Sequence, residues 1–363
     1  MTDHEDEGAQ IAKVNARDCT SRSRTLTMEI DFYPGSGLRL DEAETLARTV
    51  ESSGIGGLWA LEAAREPFGP LAVAALATTR LHLRTAVAVA FARNPMILAQ
   101  QAHELARVSS GRFVLGIGTQ VRAHVARRFS EEWSHPGRRM AEYIAALRAI
   151  WRSWNEQTPL DFNGEFYRHT LMTPMFDPGP SGQAPPPIHL AAVGPTMVRI
   201  AAEHADGLVL HPLSSRRSIT ENVLPIIGGR CVEPGFELSC PVLVITGTTD
   251  NERDSARAAV RKQIAFYAST PAYRRLFELY DEGDRADELQ RLAREGHWDD
   301  MTALITDDLL DEFSIDAHPA ELRARIEERF CGVVNRVAIY APYSVDLQSI
   351  SNFMGPGALS RNS

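Results

Sequence analysis

The segment Leu83–Gln120, "LRTAVAVAFARNPMILAQQAHELARVSSGRFVLGIGTQ", contains the unit from which we predict the fold. An apolar run over 83–91 is followed by a helical pattern that begins at Pro95 and ends before Gly111. Proline is favoured in the first turn of a helix and glycine just after its end. A second apolar run follows directly, and continuously apolar runs are typical of strands buried on both faces. The spacing therefore predicts a strand–helix–strand unit with parallel strands.

The same alternation extends in both directions along the chain. Eight apolar runs occur, and helical patterns lie between them. Eight strands that alternate with helices predict an α/β fold, a single (β/α)₈ TIM barrel. The predicted strands cover residues 28–33, 56–61, 83–91, 112–117, 188–193, 207–212, 241–246 and 335–340.

Two connections are too long for one crossover helix, so we expect insertions after strands four and seven. The first insertion, at about 120–187, includes a Pro/Gly-rich piece, and loops of this kind often shape the mouth of a barrel. The second, at about 250–315, reads as several helices that serve either as extra packing, as a dimer surface or as a lid. We expect a disordered tail over 1–26, the barrel over 27–345 and a C-terminal tail over 346–363.

Composition excludes several classes of protein. The chain has 363 residues and a net charge of −9, which argues against nucleic acid or a membrane surface as the partner. No apolar window is long enough to cross a bilayer, and the polar N-terminus lacks the apolar stretch of a signal peptide. Four scattered cysteines fit a reducing cytoplasm, and no metal motif occurs. The only lysines, Lys13 and Lys262, weigh against Schiff-base enzymes.

One segment is basic in this acidic chain. Residues 107–152 contain nine arginines and three glutamates. Two interpretations stay open: a solvated helical face, or a binding site for an anionic ligand.

The end of the fourth strand, "GIGTQV", resembles part of a nucleotide-binding loop. Gly116 and Gly118 fit the dinucleotide pattern G-x-G-x-x-G, but Val121 stands at the third glycine position. Several strands also precede the segment. We therefore expect the turn to hold something other than a dinucleotide, if it binds a ligand at all.

Active sites of TIM barrels collect at the carboxyl ends of the strands, and this rule selects candidate residues. Glu62 ends strand two, His124 follows strand four, and His211 ends strand six. Each also has a structural interpretation: a glutamate paired with an arginine, a histidine on a helix surface and a histidine that caps a strand. Gly194 and Pro195 open a helix whose free N–H groups favour phosphate.

The assembled segments resemble a known family. Residues 57–120, "GLWALEAAREPFGPLAVAALATTRLHLRTAVAVAFARNPMILAQQAHELARVSSGRFVLGIGTQ", and 186–212, "PPIHLAAVGPTMVRIAAEHADGLVLHP", resemble the bacterial luciferase-like superfamily. The resemblance covers roughly residues 28–340, and it is closer to the coenzyme F420-dependent oxidoreductases of actinobacteria.

The resemblance implies an F420-dependent oxidoreductase, a homodimer, that transfers a hydride between the deazaflavin and a small organic substrate. One alternative is an FMN-dependent monooxygenase that uses O₂ and takes reduced flavin from a partner reductase. The other is a flavin-binding paralogue without catalysis.

The resemblance also implies site residues. The third strand of such proteins ends in a bulge with a non-prolyl cis peptide behind the cofactor ring, and the turns after strands four and five bind the rest of the cofactor. The residues at these places, together with Glu62, are Ala86, Val87, Ala88, Thr119, Gln120, His124, Val193, Gly194, Thr196 and Met197. The matching cis bond would be Ala86–Val87.

Two departures affect the chemistry. Relatives often carry Asp-His after strand two and a glutamate after strand four, whereas this chain has Glu62-Ala63 and Val121. The family's acid/base scheme therefore does not carry over. Glu62, His124 and His211 remain as the candidate catalytic residues.

Overall fold

The computed structural model describes residues 28–35 and 37–353. Twelve strands occur in this part of the chain, and eight of them form a closed parallel barrel in the order β1-β2-β3-β5-β8-β9-β10-β12. The predicted TIM barrel is therefore confirmed. The strands are β1 (Glu29–Pro34), β2 (Gly57–Ala60), β3 (His82–Thr85), β4 (Ala88–Val89), β5 (Phe113–Gly118), β6 (Phe162–Asn163), β7 (Arg168–His169), β8 (Ile188–Ala191), β9 (Gly207–Val209), β10 (Glu237–Ile245), β11 (Ser314–Asp316) and β12 (Arg336–Ala341).

Two pairings close the barrel. β12 pairs with β1 over the full length of both strands, from Glu29↔Arg336 to Pro34↔Ala341. β10 pairs with β9 at its start, where Glu237 lies beside Gly207, and then with β12. Its first four residues lie outside the predicted strand, which began at 241.

The third predicted strand, 83–91, is interrupted. β3 ends at Thr85, the Ala86–Val87 peptide is cis as the resemblance implies, and β4 then pairs with β5 rather than continuing beside β2. Residues Ala90–Ala92 form a 3₁₀ turn and not a strand. The apolar run could not distinguish these three conformations, because all of them are buried.

Helices surround the barrel and bury one face each against the strands. The helix Pro95–Val108 begins as its sequence predicts, because Asn94 caps it by accepting the N–H of Met96 and proline takes the first position. The other helices of this layer are Ala43–Ser52, Phe68–Ala77, Pro136–Glu156, Pro195–His204 and Leu322–Phe330, with the short helices Arg216–Ser218 and Leu224–Ile227 after β9.

The lower half of the barrel interior is filled by charged residues. Asp31 accepts hydrogen bonds from the Trp59 indole at 2.6 Å and from Arg336 at 2.8 Å. Glu237 accepts from Arg84 at 2.8 Å and from Arg336 at 2.9 Å. Burial alone would raise the pKa of Glu237, but the two guanidinium groups lower it well below its usual range. We call these four charged residues, Asp31, Arg84, Glu237 and Arg336, the charged plug.

The long connections contain regular elements. Between β5 and β8 lie the helix Arg122–Arg127, the long helix Pro136–Glu156 and the antiparallel pair β6–β7. Between β10 and β11 lie five helices: Asp250–Ala268, Arg274–Glu278, Gly283–Glu295, Trp298–Ala303 and Asp307–Phe313. The first of these begins with a capping box made by Thr249 and Glu252. Their apolar faces share one buried cluster with upper barrel residues such as Tyr33, Trp59 and Tyr340.

The expected tails have different outcomes. The tail at 1–26 and residues 354–363 lie outside the described residues. Part of the expected C-terminal tail is ordered: residues Leu347–Asn352 form a helix, and Ile350 and Phe353 are buried. The ring of Phe353 lies 6.2 Å from that of Phe32 on β1. Apolar side chains thus anchor this part of the expected tail to the barrel.

No described helix combines the length and the apolar character that crossing a bilayer requires.

Candidate functional site

The bulge between β3 and β4 explains why β5 contains two glycines, Gly116 and Gly118. A Cβ at Gly116 would lie 1.9 Å from the backbone oxygen of Thr85, and a Cβ at Gly118 would lie 2.9 Å from Cγ2 of Val87. Thr85 also donates its hydroxyl to the Gly116 carbonyl at 2.6 Å. The glycines that resembled a nucleotide-binding loop thus allow the bulge to lie directly on β5.

Glu62 holds the bulge in place. Its buried carboxylate accepts the backbone N–H of Val89 at 2.7 Å and Arg93 Nη1 at 2.6 Å. Both partners belong to the segment that follows the cis peptide. The geometry fits the arginine-paired interpretation of Glu62, whose carboxylate ties the segment after the cis peptide to the end of β2.

The turn after β5 is stabilised by its own side chains. Gln120 has φ 62°, in the left-handed region, and its Oε1 accepts the N–H of Val121 at 2.9 Å. Thr119 donates its hydroxyl to the Gln120 carbonyl at 3.0 Å. His124 is exposed on the helix Arg122–Arg127, where the surface interpretation applies. Among the described residues, no hydrogen bond, ion pair or ring contact joins His124 to Glu62 or His211.

His211 lies in the loop after β9, within an aromatic cluster. Its Nδ1 accepts the N–H of Leu213 at 3.2 Å. The ring centroid lies 3.9 Å from that of Tyr273 and 4.7 Å from that of Tyr267. Burial lowers the pKa of His211 to about 3, so the imidazole is neutral at physiological pH. Apolar and aromatic surroundings disfavour the charged form of the ring.

The aromatic cluster continues across the barrel to the bulge. The hydroxyls of Tyr267 and Tyr340 lie 3.0 Å apart, and the rings of Tyr340 and Tyr33 lie 4.7 Å apart. Tyr33 donates its hydroxyl to the Ala86 carbonyl at 3.1 Å. Burial raises the pKa of each of these tyrosines, so they stay protonated. We call the rings of Tyr33, Tyr267 and Tyr340 the tyrosine wall. Sequence analysis did not select these residues, although Tyr33 and Tyr340 lie near the carboxyl ends of β1 and β12.

The turn after β8 carries an unpaired cation. Gly194 caps the helix Pro195–His204, and a Cβ there would lie 3.6 Å from Nη1 of Arg275. Arg275 comes from the helix Arg274–Glu278 and is half-buried, and its side chain has no hydrogen bond or ion pair with any residue the structure describes. Val193 and Met197 are half-buried, whereas Thr196 is exposed. The turn therefore combines free helix N–H groups with a guanidinium, which suits an anion.

Most of the basic segment has structural partners. Arg112 binds Ala75, Thr78 and Leu81, and Arg148 pairs with Asp206. Arg107, Arg128, Arg138 and Arg139 have partners as well. Within the described part of the chain, the arginines of this segment that remain without a side-chain partner are Arg122, Arg127 and Arg152. The solvated-face interpretation thus fits most of the segment.

Two cavities lie elsewhere. One, of about 390 Å³, is lined by Asp316, Arg325 and Arg329, and the other, of about 430 Å³, lies between Pro34, Leu38 and Tyr343. Neither is lined by a predicted site residue. In the parts of the chain that the structure describes, no group of three His, Cys, Asp or Glu side chains could hold a metal ion.

Comparison with known proteins shows the family of the chain. The family model described as luciferase-like monooxygenase matches residues 23–335. The chain belongs to this family. An uncharacterised protein from Mycobacterium tuberculosis is 46% identical over 304 residues, which cover 82% of this chain and 89% of the relative.

Two further proteins similar to this chain carry a cofactor in their names. A putative coenzyme F420-dependent oxidoreductase of M. tuberculosis is 27% identical, with 77% of this chain and 84% of that protein covered. The solved coenzyme F420-dependent tetrahydromethanopterin reductase of Methanopyrus kandleri superposes with a TM-score of 0.71 at 18% identity, covering 92% of this chain and 99% of its own. The second comparison supports the fold.

Proposed function

We propose that this protein is an oxidoreductase that binds coenzyme F420 and transfers a hydride between the deazaflavin and a small organic substrate. The observation that carries the proposal is the combination of an apolar bulge at 86–88 with Arg275 beside a helix N-terminus, where its side chain has no hydrogen bond or ion pair with the described residues. A flat ring needs the first feature, and an anionic side chain needs the second. The F420-dependent relative supports the same choice of cofactor.

The residues of the site fit such a cofactor. Ala86, Val87 and Ala88 would support the ring, while Glu62 and Tyr33 hold the bulge from both sides. The phosphate of the cofactor would lie on the turn Val193–Gly194, close to Thr196 and Met197. Thr119 and Gln120 would lie at the polar edge of the cofactor ring. When bound, the deazaflavin supplies the carbon that gives or receives the hydride.

The protein itself would orient the cofactor and the substrate and exclude water from the site. The wall of Tyr33, Tyr267 and Tyr340 closes the upper barrel, and a dry site strengthens each hydrogen bond inside it. Neither Glu62, which is paired, nor His124, which is exposed, is suited to carry a proton. Of the three candidate catalytic residues, we retain His211 as the one that faces the substrate.

The proposal is tested by titration of the purified protein with F420 and with FMN, followed by fluorescence. We expect F420 to bind more tightly. Arg275→Gln should weaken F420 binding by roughly 10- to 100-fold, because a hydrogen bond to a charged group is worth about 1.5–3 kcal/mol.

Arg199→Gln is the matched control. Arg199 lies on the helix Pro195–His204, is exposed and has no side-chain partner among the described residues. Its removal alters the net charge equally and should leave the affinity almost unchanged. Equal affinities of the parent protein and Arg275→Gln would contradict the proposed phosphate site.

A second candidate function is an FMN-dependent monooxygenase that receives reduced flavin from a partner reductase. The family description favours it, and a phosphate site at Gly194 would serve FMN equally well. Tighter binding of FMN, with O₂ consumption when reduced flavin is supplied, would favour this candidate. Binding of either cofactor without turnover would point to a paralogue without catalysis.

A further inference from the structure

His211 is held on two sides by the segment inserted between β10 and β11. Tyr267 belongs to the helix Asp250–Ala268, and Tyr273 ends the 3₁₀ turn Pro271–Tyr273. Their rings contact the imidazole at centroid distances of 4.7 and 3.9 Å. The ring is thus fixed in position, and the inserted segment contributes directly to the upper end of the barrel.

A backbone hydrogen bond fixes the tautomer of His211. A neutral imidazole has one nitrogen that donates and one that accepts. Nδ1 accepts the N–H of Leu213 at 3.2 Å, so it carries no proton, and the proton must be on Nε2. Nε2 has no hydrogen-bond partner among the described residues and is not one of their fully enclosed polar atoms. A donor is therefore available at the mouth of the barrel.

The surroundings keep His211 neutral. The titratable groups that pack against it are Tyr267 and Tyr273, and burial raises the pKa of both phenols. On the strand side, burial raises the pKa of the Cys240 thiol, whose sulfur lies near the carbonyl of Ser214 in the same loop. Burial itself accounts for the lowered pKa of His211, and no carboxylate or guanidinium opposes it.

We propose that His211 binds an uncharged acceptor of the substrate, a carbonyl or imine group on an apolar body, by donating from Nε2–H without transferring the proton. This inference rests on the proposed oxidoreductase function and names its substrate class. Reduction of a C=O or C=N bond places negative charge on the oxygen or nitrogen, and a preorganised donor stabilises that charge. The proton that completes the product comes from solvent water when the product leaves the dry site, and Nε2–H stays on His211 throughout the step.

The tautomer is tested by NMR on the full chain labelled with ¹⁵N-histidine, without cofactor or substrate. His211 is assigned by loss of its signals in His211→Phe, which keeps an aromatic ring, or in His211→Gln if the first variant does not fold. We expect a neutral ring with the proton on Nε2 at every pH from about 5 to 9. A proton on Nδ1, or titration in that interval, would overturn the proposal.

The acceptor is tested with two probes of similar shape, cyclohexanone and methylcyclohexane. Cyclohexanone should shift the Nε2–H signal of His211 in a saturable manner, and methylcyclohexane should not. The proposal is overturned if neither probe shifts the signal or if both shift it equally. F420 is absent from the NMR experiment, so its outcome is independent of the cofactor titration. A negative NMR result would contradict the role of His211 alone, and a negative titration would contradict the proposed cofactor alone.

Discussion

Replacement of Gly116 by alanine should disrupt the packing of the bulge on β5. The added Cβ would lie 1.9 Å from the Thr85 oxygen, about 1.5 Å short of ordinary contact, and the obstructing atom belongs to the backbone. Strand β3 must therefore move away from β5. Overpacking of a core costs about 1–3 kcal/mol, and the loss of the Thr85–Gly116 hydrogen bond adds about 1 kcal/mol. We expect the free energy of unfolding to fall by about 2–4 kcal/mol.

Urea unfolding measures this free energy, and titration with F420 shows whether the bulge still supports the cofactor ring. Gly229→Ala is the control, because its Cβ would meet nothing within 4 Å and should change stability by at most about 0.5 kcal/mol. The reasoning would be refuted if Gly116→Ala kept both the stability and the cofactor affinity of the parent protein.

Three further predictions follow from individual contacts. Glu62→Gln should lower stability by about 3–5 kcal/mol, because Arg93 loses its partner in a partly buried site, and urea unfolding measures this loss. The lowered pKa of Glu237 means that its contribution to stability is present above the unfolded pKa of about 4.3 and is lost as the pH falls further. Glu237→Gln should therefore be less stable at pH 7 and lose less stability on acidification, and equal slopes for the two proteins would contradict this. His124→Asn should retain cofactor affinity and turnover, because the side chain is exposed, and a loss of turnover above about tenfold would restore His124 to the site.

Local patterns predicted the barrel because the parallel strands are mostly apolar, although β1, β3 and β12 each contain one charged residue of the plug. The first residues of β10, Glu237 to Cys240, were not part of the predicted strand. Glu237 points to Arg84 and Arg336 inside the barrel, and those arginines are 153 and 99 residues away. The start of β10 was not predicted, because the apolar run begins only at Pro241 and the partners of Glu237 are distant in sequence.

The candidate site was predictable in position but not in role. The rule of strand ends selected Glu62 and His211, which follow β2 and β9 in the structure. Their chemistry depends on partners distant in sequence: Arg93 for Glu62, and Tyr267 and Tyr273 for His211. Arg275 was not selected, because it lies in an inserted helix and reaches Gly194 only through the fold.

The charged plug has a consequence for how the chain can be divided. Asp31 and Arg84 come from the first half of the barrel, whereas Glu237 and Arg336 come from the second. Asp31 and Arg84 approach each other only to 3.7 Å, and each depends on a closer partner in the other half. A half-barrel made from β1 to β5 would retain a carboxylate and a guanidinium without those partners. Fragments produced by cutting the chain between β5 and β8 should therefore require each other to fold, unlike the halves of a barrel that has an apolar interior.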